Sequence, residues 1–298
     1  MFDVMIVGGS YAGLAAALQL GRARRKVLVV DGGVRRNRFA SHSHGFLGQD
    51  GVDPAAIAAK GRAEVQAYPT VTWIEGKVTG ARGAIDDFAL RLANGEEHRG
   101  KRVLLAYGVA DELPDVPGLA ERWGKSAFHC PYCHGYELDQ GAIAVLASSP
   151  MSVHHAQMLP DWGTVTYFTR GLFEPNEEER GALDRRRVRV VSDPVAALEG
   201  DAPKIDVVLA NGTRETFAGL FVAPKTRPTA SLAEELGCEI EQGPTGPFIK
   251  TDAMKATTVP GVLAAGDAAT AAGSVTFAVG DGARAGFNAH RTLLFGWS

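Results

Sequence analysis

The sequence predicts an α/β protein made of two Rossmann-like, three-layer domains, and three observations lead to this fold class. A strand, a glycine-rich turn, a helix and a second strand follow one another over residues 2–31. The same alternation returns over residues 142–168 without the glycines, and a late buried strand, 262–265, runs into Gly266 and Asp267. Strands and helices that alternate in this way are typical of parallel sheets covered by helices.

The composition indicates the general class of protein to which the chain belongs. The 298 residues are 45% hydrophobic and 22% charged, which is typical of a soluble globular chain long enough for one large or two medium domains. The formal net charge of -3 gives no electrostatic reason to expect nucleic acid or a membrane surface as a partner. Three cysteines cannot form a disulfide framework, so we expect a reducing compartment.

The apolar run at residues 5–20 needs an interpretation of its own. No basic region precedes it and three glycines interrupt it, so we interpret it as a strand and a buried helix rather than as a signal or an anchor. No other apolar run approaches the length that spans a membrane. We therefore expect a cytoplasmic protein without a membrane segment.

The first strand, 2–7, opens a dinucleotide-binding unit. It runs directly into a turn with three glycines, and the strand after the next helix ends in an acid about 20 residues further on. In such a turn, backbone N–H groups and the helix N-terminus meet a pyrophosphate, and the acid accepts hydrogen bonds from a ribose. Serine replaces the middle glycine of the usual fingerprint, and we expect this small polar substitute to be tolerated. The predicted binding residues are Gly8, Gly9, Ser10, Gly13 and Asp31.

A long irregular segment, 32–51, separates this unit from a predicted helix over residues 54–67. Its three arginines and two histidines are either solvated or in contact with a bound anionic cofactor. Short strands with a hairpin turn at Asn94-Gly95 follow, and the Pro- and Gly-rich stretch 114–118 marks a domain boundary. The predicted strands are 70–74, 76–79, 88–92, one that starts at residue 98, and 101–106.

Two of the three cysteines, Cys130 and Cys133, stand two residues apart within the stretch 128–135. Thiols at this spacing can close a disulfide, and their proximity lowers the pKa of one thiol below its free value of ~8.5. The spacing also occurs in haem c attachment sites, glutaredoxin-type sites and halves of zinc sites. Haem c attachment normally follows export, for which no signal is visible, and zinc needs about four ligands. Cys238 is distant and has the apolar surroundings of a small buried residue, so we expect no metal.

The second β-α-β unit has a different turn. Residues Ala147, Ser148 and Ser149 each bring a Cβ to the place where a pyrophosphate needs the backbone to come close. Pro150 removes an N–H donor, and the second strand is followed by Thr169-Arg170 rather than by an acid. The remaining predicted elements are a strand at 188–191, a hairpin turn at 211–212, a strand at 220–223, a helix at 231–236 and a long helix at 276–294.

In this order of parts the chain resembles the low-molecular-weight thioredoxin reductase family of two-domain flavoproteins. The shared order covers nearly the whole chain: a Rossmann turn, a Pro-rich crossover, Cys-x-x-Cys, a second Rossmann unit, a return crossover and Ala-Ala-Gly-Asp. Glutaredoxin is thereby excluded, because it requires a compact thioredoxin-fold domain around its cysteines. The resemblance implies a homodimer and a discontinuous FAD-binding domain (1–115 and 224–298), with an NAD(P)-type domain that carries the cysteines inserted at 116–223.

The resemblance also implies roles for individual residues. Cys133 would be the cysteine nearest the flavin, and Cys130 the interchange thiol that meets the substrate. His134 stands where the family has an acid, and an unperturbed imidazole with a pKa of ~6.5 suits proton transfer at neutral pH. Its alternative role is a structural hydrogen bond at a helix start. The implied contacts of FAD are Gly8, Gly9, Ser10 and Gly13 at the pyrophosphate, Asp31 at the ribose, Gly266 and Asp267 near the ribityl chain, and the backbone of Ser274 and Val275 at the isoalloxazine.

Two departures from the family bear on the second substrate. A histidine after the second cysteine is more similar to the branch that contains the dithiol oxidases of disulfide natural products, such as gliotoxin and holomycin. In the second Rossmann unit the glycine fingerprint is missing, and only Arg170 stands where a cluster of arginines would bind the 2'-phosphate of NADPH. Both departures argue against NADPH as an ordinary substrate.

We therefore expect an FAD-dependent dithiol/disulfide oxidoreductase in which Cys130 and Cys133 exchange electrons with a small dithiol or disulfide. Oxidation of a dithiol is the favoured direction, with the first attack at Cys130 and proton transfer through His134. One alternative is an NADPH-dependent thioredoxin-disulfide reductase, whose partner would be a thioredoxin-like protein. The other is a flavin-binding redox sensor without turnover.

Overall fold

A computed structural model of the chain describes residues 1–297. They form two compact units, and both are discontinuous in sequence. Within the described residues, no helix is both long and apolar enough to cross a membrane. The first unit comprises Met1–Arg38, Pro54–Ala110 and the chain from Thr226 onward, and the second comprises Phe39–Asp53 and Asp111–Lys225.

The segment Phe39–Asp53 lies in the second unit, although the sequence assigned these residues to the first domain. Backbone pairing between Ser43 and Val52 ties the segment to itself. The imidazole of His44 then reaches Glu137, with 3.5 Å between Nε2 and Oε1. Because His44 and Glu137 are far apart in sequence, local composition could not predict this contact.

Nineteen strands and eight α-helices are assigned within residues 1–297. The helices are α1 (Tyr11–Arg22), α2 (Pro54–Gln66), α3 (Leu119–Arg122), α4 (Pro131–His134), α5 (Met151–Met158), α6 (Glu177–Arg185), α7 (Leu232–Glu235) and α8 (Val275–Phe295). The first ten strands are β1 (Phe2–Val7), β2 (Val27–Asp31), β3 (Val71–Glu75), β4 (Val78–Ala84), β5 (Asp87–Leu92), β6 (Glu97–Leu105), β7 (Val109–Glu112), β8 (Ala127–Phe128), β9 (Ala142–Leu146) and β10 (Thr164–Phe168). The others are β11 (Arg189–Val191), β12 (Val195–Glu199), β13 (Ile205–Leu209), β14 (Arg214–Phe217), β15 (Gly219–Val222), β16 (Lys225–Pro228), β17 (Ile240–Gln242), β18 (Pro247–Ile249) and β19 (Val262–Ala264).

The first unit is organised around a seven-stranded sheet with the order β3-β2-β1-β6-β5-β4, in which β19 also pairs with β6. Strands β3, β2, β1, β6 and β19 are parallel, whereas β5 pairs antiparallel with both β4 and β6. Because β1, β2 and β19 are parallel, their carboxyl ends emerge at one edge of the sheet, where ligands of such folds bind. The segments that follow these three strands therefore meet at that edge.

Strand β6 is a single strand, although the sequence predicted two. Its first half pairs with β5, as in Arg99 with Ala89, and its second half pairs with β19, as in Val103 with Val262. The exchange of one neighbour for the other occurs within the strand, while β1 pairs along its opposite side. Residues 97–102 are polar apart from Gly100, and residues 103–105 are apolar, which explains why the pattern suggested two elements.

Helices α1 and α8 of the first unit pack closely against each other because small residues line their contact. A Cβ added at Gly286 would lie 2.8 Å from the carbonyl oxygen of Ala16, and one added at Gly282 would overlap the carbonyl oxygen of Ala12. The close approach lays the first turn of α1, at Ala12, against the third turn of α8, at Gly282, and Ala278 in the first turn of α8 lies near Gly266. Both helices therefore begin near the carboxyl edge of the sheet.

The second unit contains a five-stranded parallel sheet with the order β11-β10-β9-β15-β8 and a separate antiparallel sheet, β12-β13-β14. Neighbouring residues of β9 and β10 alternate between two cores, because successive side chains of a strand point to opposite faces. Leu146 and Phe168 belong to one core, and Val145 and Tyr167 to the other. Strand β9 is buried in the middle of this sheet and leads into the second β-α turn.

Candidate active site

The turn between β1 and α1 is held in shape by glycines. Gly8 has a φ of 107°, and a Cβ there would overlap the carbonyl oxygen of Ala106. A Cβ on Gly13 would overlap the carbonyl oxygen of Gly8 itself. Ser10 has ordinary extended backbone angles, with φ -92° and ψ -163°, and its side chain makes no capping hydrogen bond to α1. The turn therefore requires glycine at Gly8 and Gly13 but accepts a side chain at Ser10.

Asp31, at the end of β2, lies directly beside this turn. Its Oδ1 accepts hydrogen bonds from the N–H groups of Gly9 (3.2 Å) and Gly33 (3.1 Å). A Cβ on Gly9 would lie 2.6 Å from the Cβ of Asp31 and 2.6 Å from the Trp73 ring, whose buried Nε1 has no partner within residues 1–297. No hydrogen bond to the Oδ2 atom of Asp31 comes from residues 1–297, so this atom is available to a ribose hydroxyl.

Asp267 follows β19 in the short 3-10 turn Gly266–Ala269. Its Oδ2 lies 2.9 Å from Nη1 of Arg36, and both side chains are 20% exposed. Of the two interpretations for the basic residues of the segment 32–51, solvation does not describe Arg36, which lies beside an aspartate predicted to face the cofactor. The ion pair holds the Arg36 guanidinium beside Asp267 at the edge of the sheet.

Gly266, Ser274 and Val275 complete this edge. A Cβ on Gly266 would lie 2.9 Å from the Cβ of Ala12 in the first turn of α1 and 3.7 Å from the Cβ of Ala278 in α8. Ser274 caps α8, and its Oγ accepts a hydrogen bond of 3.1 Å from the N–H of Phe277. Val275 is the first residue of α8, where backbone N–H groups have no acceptor inside the helix. All nine residues predicted to bind FAD thus lie at the carboxyl edge of one sheet or at the adjoining helix starts, an arrangement that fits a dinucleotide.

The remaining predicted site residues lie in the second unit. Cys130 and Cys133 are joined by a disulfide, with their Cα atoms 5.3 Å apart. Cys130 precedes the short helix α4, and the N–H of Cys133 donates to the carbonyl oxygen of Cys130 at 3.2 Å. Both cysteines are half-buried, whereas Tyr132 between them is 74% exposed and lies edge-on to Trp162, with ring centroids 5.3 Å apart. The disulfide is therefore within reach of a thiol from solution.

His134 stacks on the ring of Phe128, with centroids 4.3 Å apart and planes inclined by 19°. Burial of the ring, followed by the charge of His44, lowers the pKa of His134 from 6.5 to about 4. The imidazole is consequently neutral at physiological pH and can accept a proton. Its side chain has no hydrogen bond to any described residue, so the alternative role in capping a helix is not observed.

Sequence reasoning did not identify His44 as a site residue. Its Nδ1 lies 3.5 Å from Oδ1 of Asp50, and its Nε2 lies 3.5 Å from Oε1 of Glu137, three residues after His134. The only signal in the sequence was the length of the segment 32–51 and its histidines. The structure adds this second imidazole to the surroundings of His134.

The turn between β9 and α5 binds its own backbone. The buried hydroxyl of Ser152 accepts hydrogen bonds from the N–H groups of Ser148 (3.0 Å) and Ser149 (3.3 Å). The Ser148 hydroxyl donates to the carbonyl oxygen of Ala223 at 2.8 Å. The two donors that a pyrophosphate would need in this turn are thus occupied by a neighbouring serine.

Arg170, the single arginine at the predicted position of the 2'-phosphate, also faces the protein. Its Nη1 donates to the carbonyl oxygen of Ala147 at 3.1 Å. Nearby, the carboxylate of Glu174 accepts hydrogen bonds from Thr169 and from Arg180. A carboxylate beside the end of β10 opposes a phosphate there.

Comparison with known proteins agrees with this geometry. Residues 2–282 match the family described as pyridine nucleotide-disulphide oxidoreductase. The chain is 56% identical to an oxidoreductase of known crystal structure from Agrobacterium tumefaciens, with a TM-score of 0.95 and coverage of 99% of both chains. It is 40% identical to HlmI, with a TM-score of 0.92 and coverage of 98% of this chain and 92% of that one. It is 31% identical to thioredoxin reductase sirT of Leptosphaeria maculans over 304 residues, which are 96% of this chain and 92% of the relative. The predicted fold class and resemblance are confirmed.

Proposed function

The chain belongs to the pyridine nucleotide-disulphide oxidoreductase family, and from this premise we propose that it oxidises small dithiols to disulfides with FAD as its cofactor. The enzyme class predicted from the sequence, an FAD-dependent disulfide oxidoreductase, agrees with that membership. We assign FAD binding to the first unit and the thiol chemistry to Cys130, Cys133 and His134 in the second. The location that we propose is the cytoplasm.

We favour dithiol oxidation over NADPH-dependent reduction because the β9–α5 turn hydrogen-bonds its own backbone N–H groups. Ser152 accepts from both N–H groups that would meet the pyrophosphate of NADPH, and Pro150 has no N–H to offer. By contrast, the cysteine pair is half-buried and accessible. These features favour a substrate that delivers electrons directly to the disulfide.

The disulfide accepts these electrons in two exchange steps. A substrate thiolate attacks Sγ of Cys130, forms a mixed disulfide and releases Cys133 as a thiolate. The second substrate thiol loses its proton and attacks the substrate sulfur of the mixed disulfide, which closes the product disulfide and releases Cys130. The substrate has then lost two electrons and two protons, and the cysteine pair has gained two electrons. The electron pair would pass from the cysteines to bound FAD, whose chemistry would deliver it to oxygen or another acceptor.

We propose that His134 accepts the protons in these steps. Its lowered pKa of about 4 keeps the ring neutral before the reaction and makes it a weaker base than a free imidazole. When the adjacent Cys133 becomes a thiolate, the opposite charge stabilises the imidazolium and raises the pKa of His134. Proton transfer is thereby coupled to opening of the disulfide.

The proposed FAD contacts are the residues at the carboxyl edge of the first sheet. The glycine turn and Asp31 would hold the pyrophosphate and the adenosine ribose, and Arg36 would add a cationic contact. The remaining contacts would come from Gly266, Asp267, Ser274 and Val275.

We also propose a homodimer. Helix α8 exposes three large aromatic side chains, Phe277, Phe287 and Phe295, which are 59–78% accessible to solvent. Such an accumulation of apolar surface along one helix supports a protein–protein contact.

Anaerobic stopped-flow spectroscopy tests the proposed function. We expect dithiothreitol to bleach the visible absorbance of the bound flavin within turnover times, and NADPH to leave it unchanged. The Cys133→Ser variant should retain FAD but lose the bleaching by dithiothreitol. Cys238→Ser is the matched control, because Cys238 is buried in the first unit and is not part of the pair, and it should behave like the unmodified enzyme. Rapid bleaching by NADPH with turnover of thioredoxin would establish the reductase instead, and no bleaching by either compound would favour a sensor.

A further inference from the structure

A cavity of about 280 Å³ lies beside the redox stretch within the second unit. His134, which follows Cys133 directly, forms part of its wall together with Phe128. Leu138 and Ala218 add apolar surface. The volume lies just below the usual range for small-molecule sites, so the cavity fits a small organic ligand rather than the surface of a protein.

More positively than negatively charged side chains line this cavity. Lys125 and Lys204 carry positive charge, and Glu137 is the single carboxylate among the lining residues. Glu137 is directed to His44, with 3.5 Å between Oε1 and Nε2. The cavity therefore presents a net positive field to a ligand.

The two lysines are available to a ligand. Nζ of Lys125 donates to the backbone carbonyl oxygen of Glu121 at 3.1 Å, which satisfies one of its three N–H bonds and leaves its charge without a counterion. The side chain of Lys204 has no ion-pair partner in the described part of the chain. Ammonium groups of this kind bind carboxylates through charge-assisted hydrogen bonds.

The part of the cavity wall that contains His42 and His44 is held together by hydrogen bonds. Within the segment Phe39–Asp53, the N–H of Ser43 donates to Val52 and the N–H of Gly51 donates to Ser43, both at 2.9 Å. The N–H of Gly45 donates to Oδ1 of Asp50 at 2.8 Å. These bonds hold the segment in one conformation and so preserve the shape of the cavity.

We propose that this cavity is the substrate subsite of the dithiol oxidation and that it selects dithiols that carry a carboxylate. Lys125 and Lys204 bind the carboxylate, the apolar wall holds the carbon chain, and the thiols reach the disulfide past His134. The inference rests on the proposed function and adds to it the chemical class of the substrate.

Dihydrolipoate and dihydrolipoamide form a matched pair of probes, because they share one dithiol and differ in a carboxylate against a neutral amide. We expect kcat/KM of the FAD-loaded enzyme at low ionic strength to be about tenfold higher for dihydrolipoate, mainly through KM, and this ratio to fall as salt is added. The double variant Lys125→Gln/Lys204→Gln should bring the ratio to about one, and Lys204→Glu should bring it below one. Lys60→Gln, an exposed change in the first unit, serves as the control and should keep the original ratio.

The outcomes separate this inference from the proposed function. Equal kcat/KM values for the two dithiols, or a ratio that the double variant leaves unchanged, would overturn carboxylate selection while dithiol oxidation stands. If neither compound bleaches the flavin, dithiol oxidation fails and the subsite fails with it.

Discussion

The turn between β1 and α1 and the turn between β9 and α5 occupy equivalent places in two β-α-β units. In the first, Gly8 and Gly13 lack side chains at points where any Cβ would overlap the backbone. In the second, serines fill the corresponding space, and Ser152 binds the N–H groups of Ser148 and Ser149. Both turns connect a buried parallel strand to a helix. The N–H of Gly9 in the first turn also has an acceptor, Asp31, but only in the second turn does a serine of the following helix bind two successive N–H groups.

A β-α-β topology alone therefore does not make a dinucleotide site. A pyrophosphate needs backbone N–H groups that are both close and unoccupied. A serine hydroxyl four residues downstream can supply the same acceptor oxygen from within the protein. The second unit thus keeps the stability of a Rossmann-like sheet while its turn no longer needs a nucleotide.

Gly13→Ala should break the first turn and has the largest expected effect. The new Cβ would overlap the carbonyl oxygen of Gly8, so the strand-to-helix connection must move. We expect the free energy of unfolding to fall by ~3 kcal/mol and the protein to lose its flavin during purification. Urea denaturation and the visible absorbance of the purified protein measure the two effects.

Gly32→Ala is the matched control for this change. Only the carbonyl oxygen of Gly76 lies within 4 Å of a Cβ at Gly32, at 3.9 Å, so alanine fits there. The control should keep both stability and flavin. A yellow Gly13→Ala protein of unchanged stability would show that the glycine turn does not hold the cofactor.

The elements with strong periodicity were predictable. Strand β1 begins and ends where the sequence indicated, and helices α1 and α2 extend over the predicted ranges to within a few residues. Apolar residues and glycine turns determine these elements locally, so no distant contact is needed to recognise them. The disulfide between Cys130 and Cys133 was predictable for the same reason, because its spacing is contained in four residues.

The features that depend on distant contacts were not predictable. His44 and Glu137 lie in segments that are far apart in sequence, and the contact between them could not be predicted from composition. The same is true of the assignment of Phe39–Asp53 to the second unit. The pKa of His134 differs from the expected ~6.5, because stacking on Phe128 buries the ring. For the second turn, the sequence showed the obstructing Cβ atoms and Pro150, but the hydrogen bonds from the backbone to Ser152 are seen only in the folded structure.

Ser152→Ala tests the hydrogen bonds of the second turn. The variant removes an acceptor from two N–H groups, and because the hydroxyl is fully buried, water replaces it poorly. We expect the free energy of unfolding to fall by ~2 kcal/mol. NADPH should still fail to bleach the flavin, since the Cβ atoms of residues 147–149 and the ring of Pro150 remain in place.

Ser192→Ala is the control in the same unit, because Ser192 is exposed and makes one long hydrogen bond of 3.4 Å to Glu174. It should change the free energy of unfolding by less than about 0.5 kcal/mol. If Ser152→Ala gained rapid reduction by NADPH, occupied N–H groups would be the whole reason for the closed turn, and the side chains around them would have no part in it.

Ser10→Gly restores the usual glycine fingerprint in the first turn and has the smallest expected effect. Ser10 has extended backbone angles that any residue adopts, and its hydroxyl does not cap α1, so glycine removes no contact. We expect the melting temperature and the dissociation constant of FAD to stay near their original values, with a change in stability below about 0.5 kcal/mol. Calorimetry and fluorescence titration of the apoprotein with FAD measure both quantities. A tenfold weaker affinity for FAD would instead assign the Ser10 hydroxyl a direct contact with the pyrophosphate, and the first turn would then bind through a side chain as well as through its open backbone.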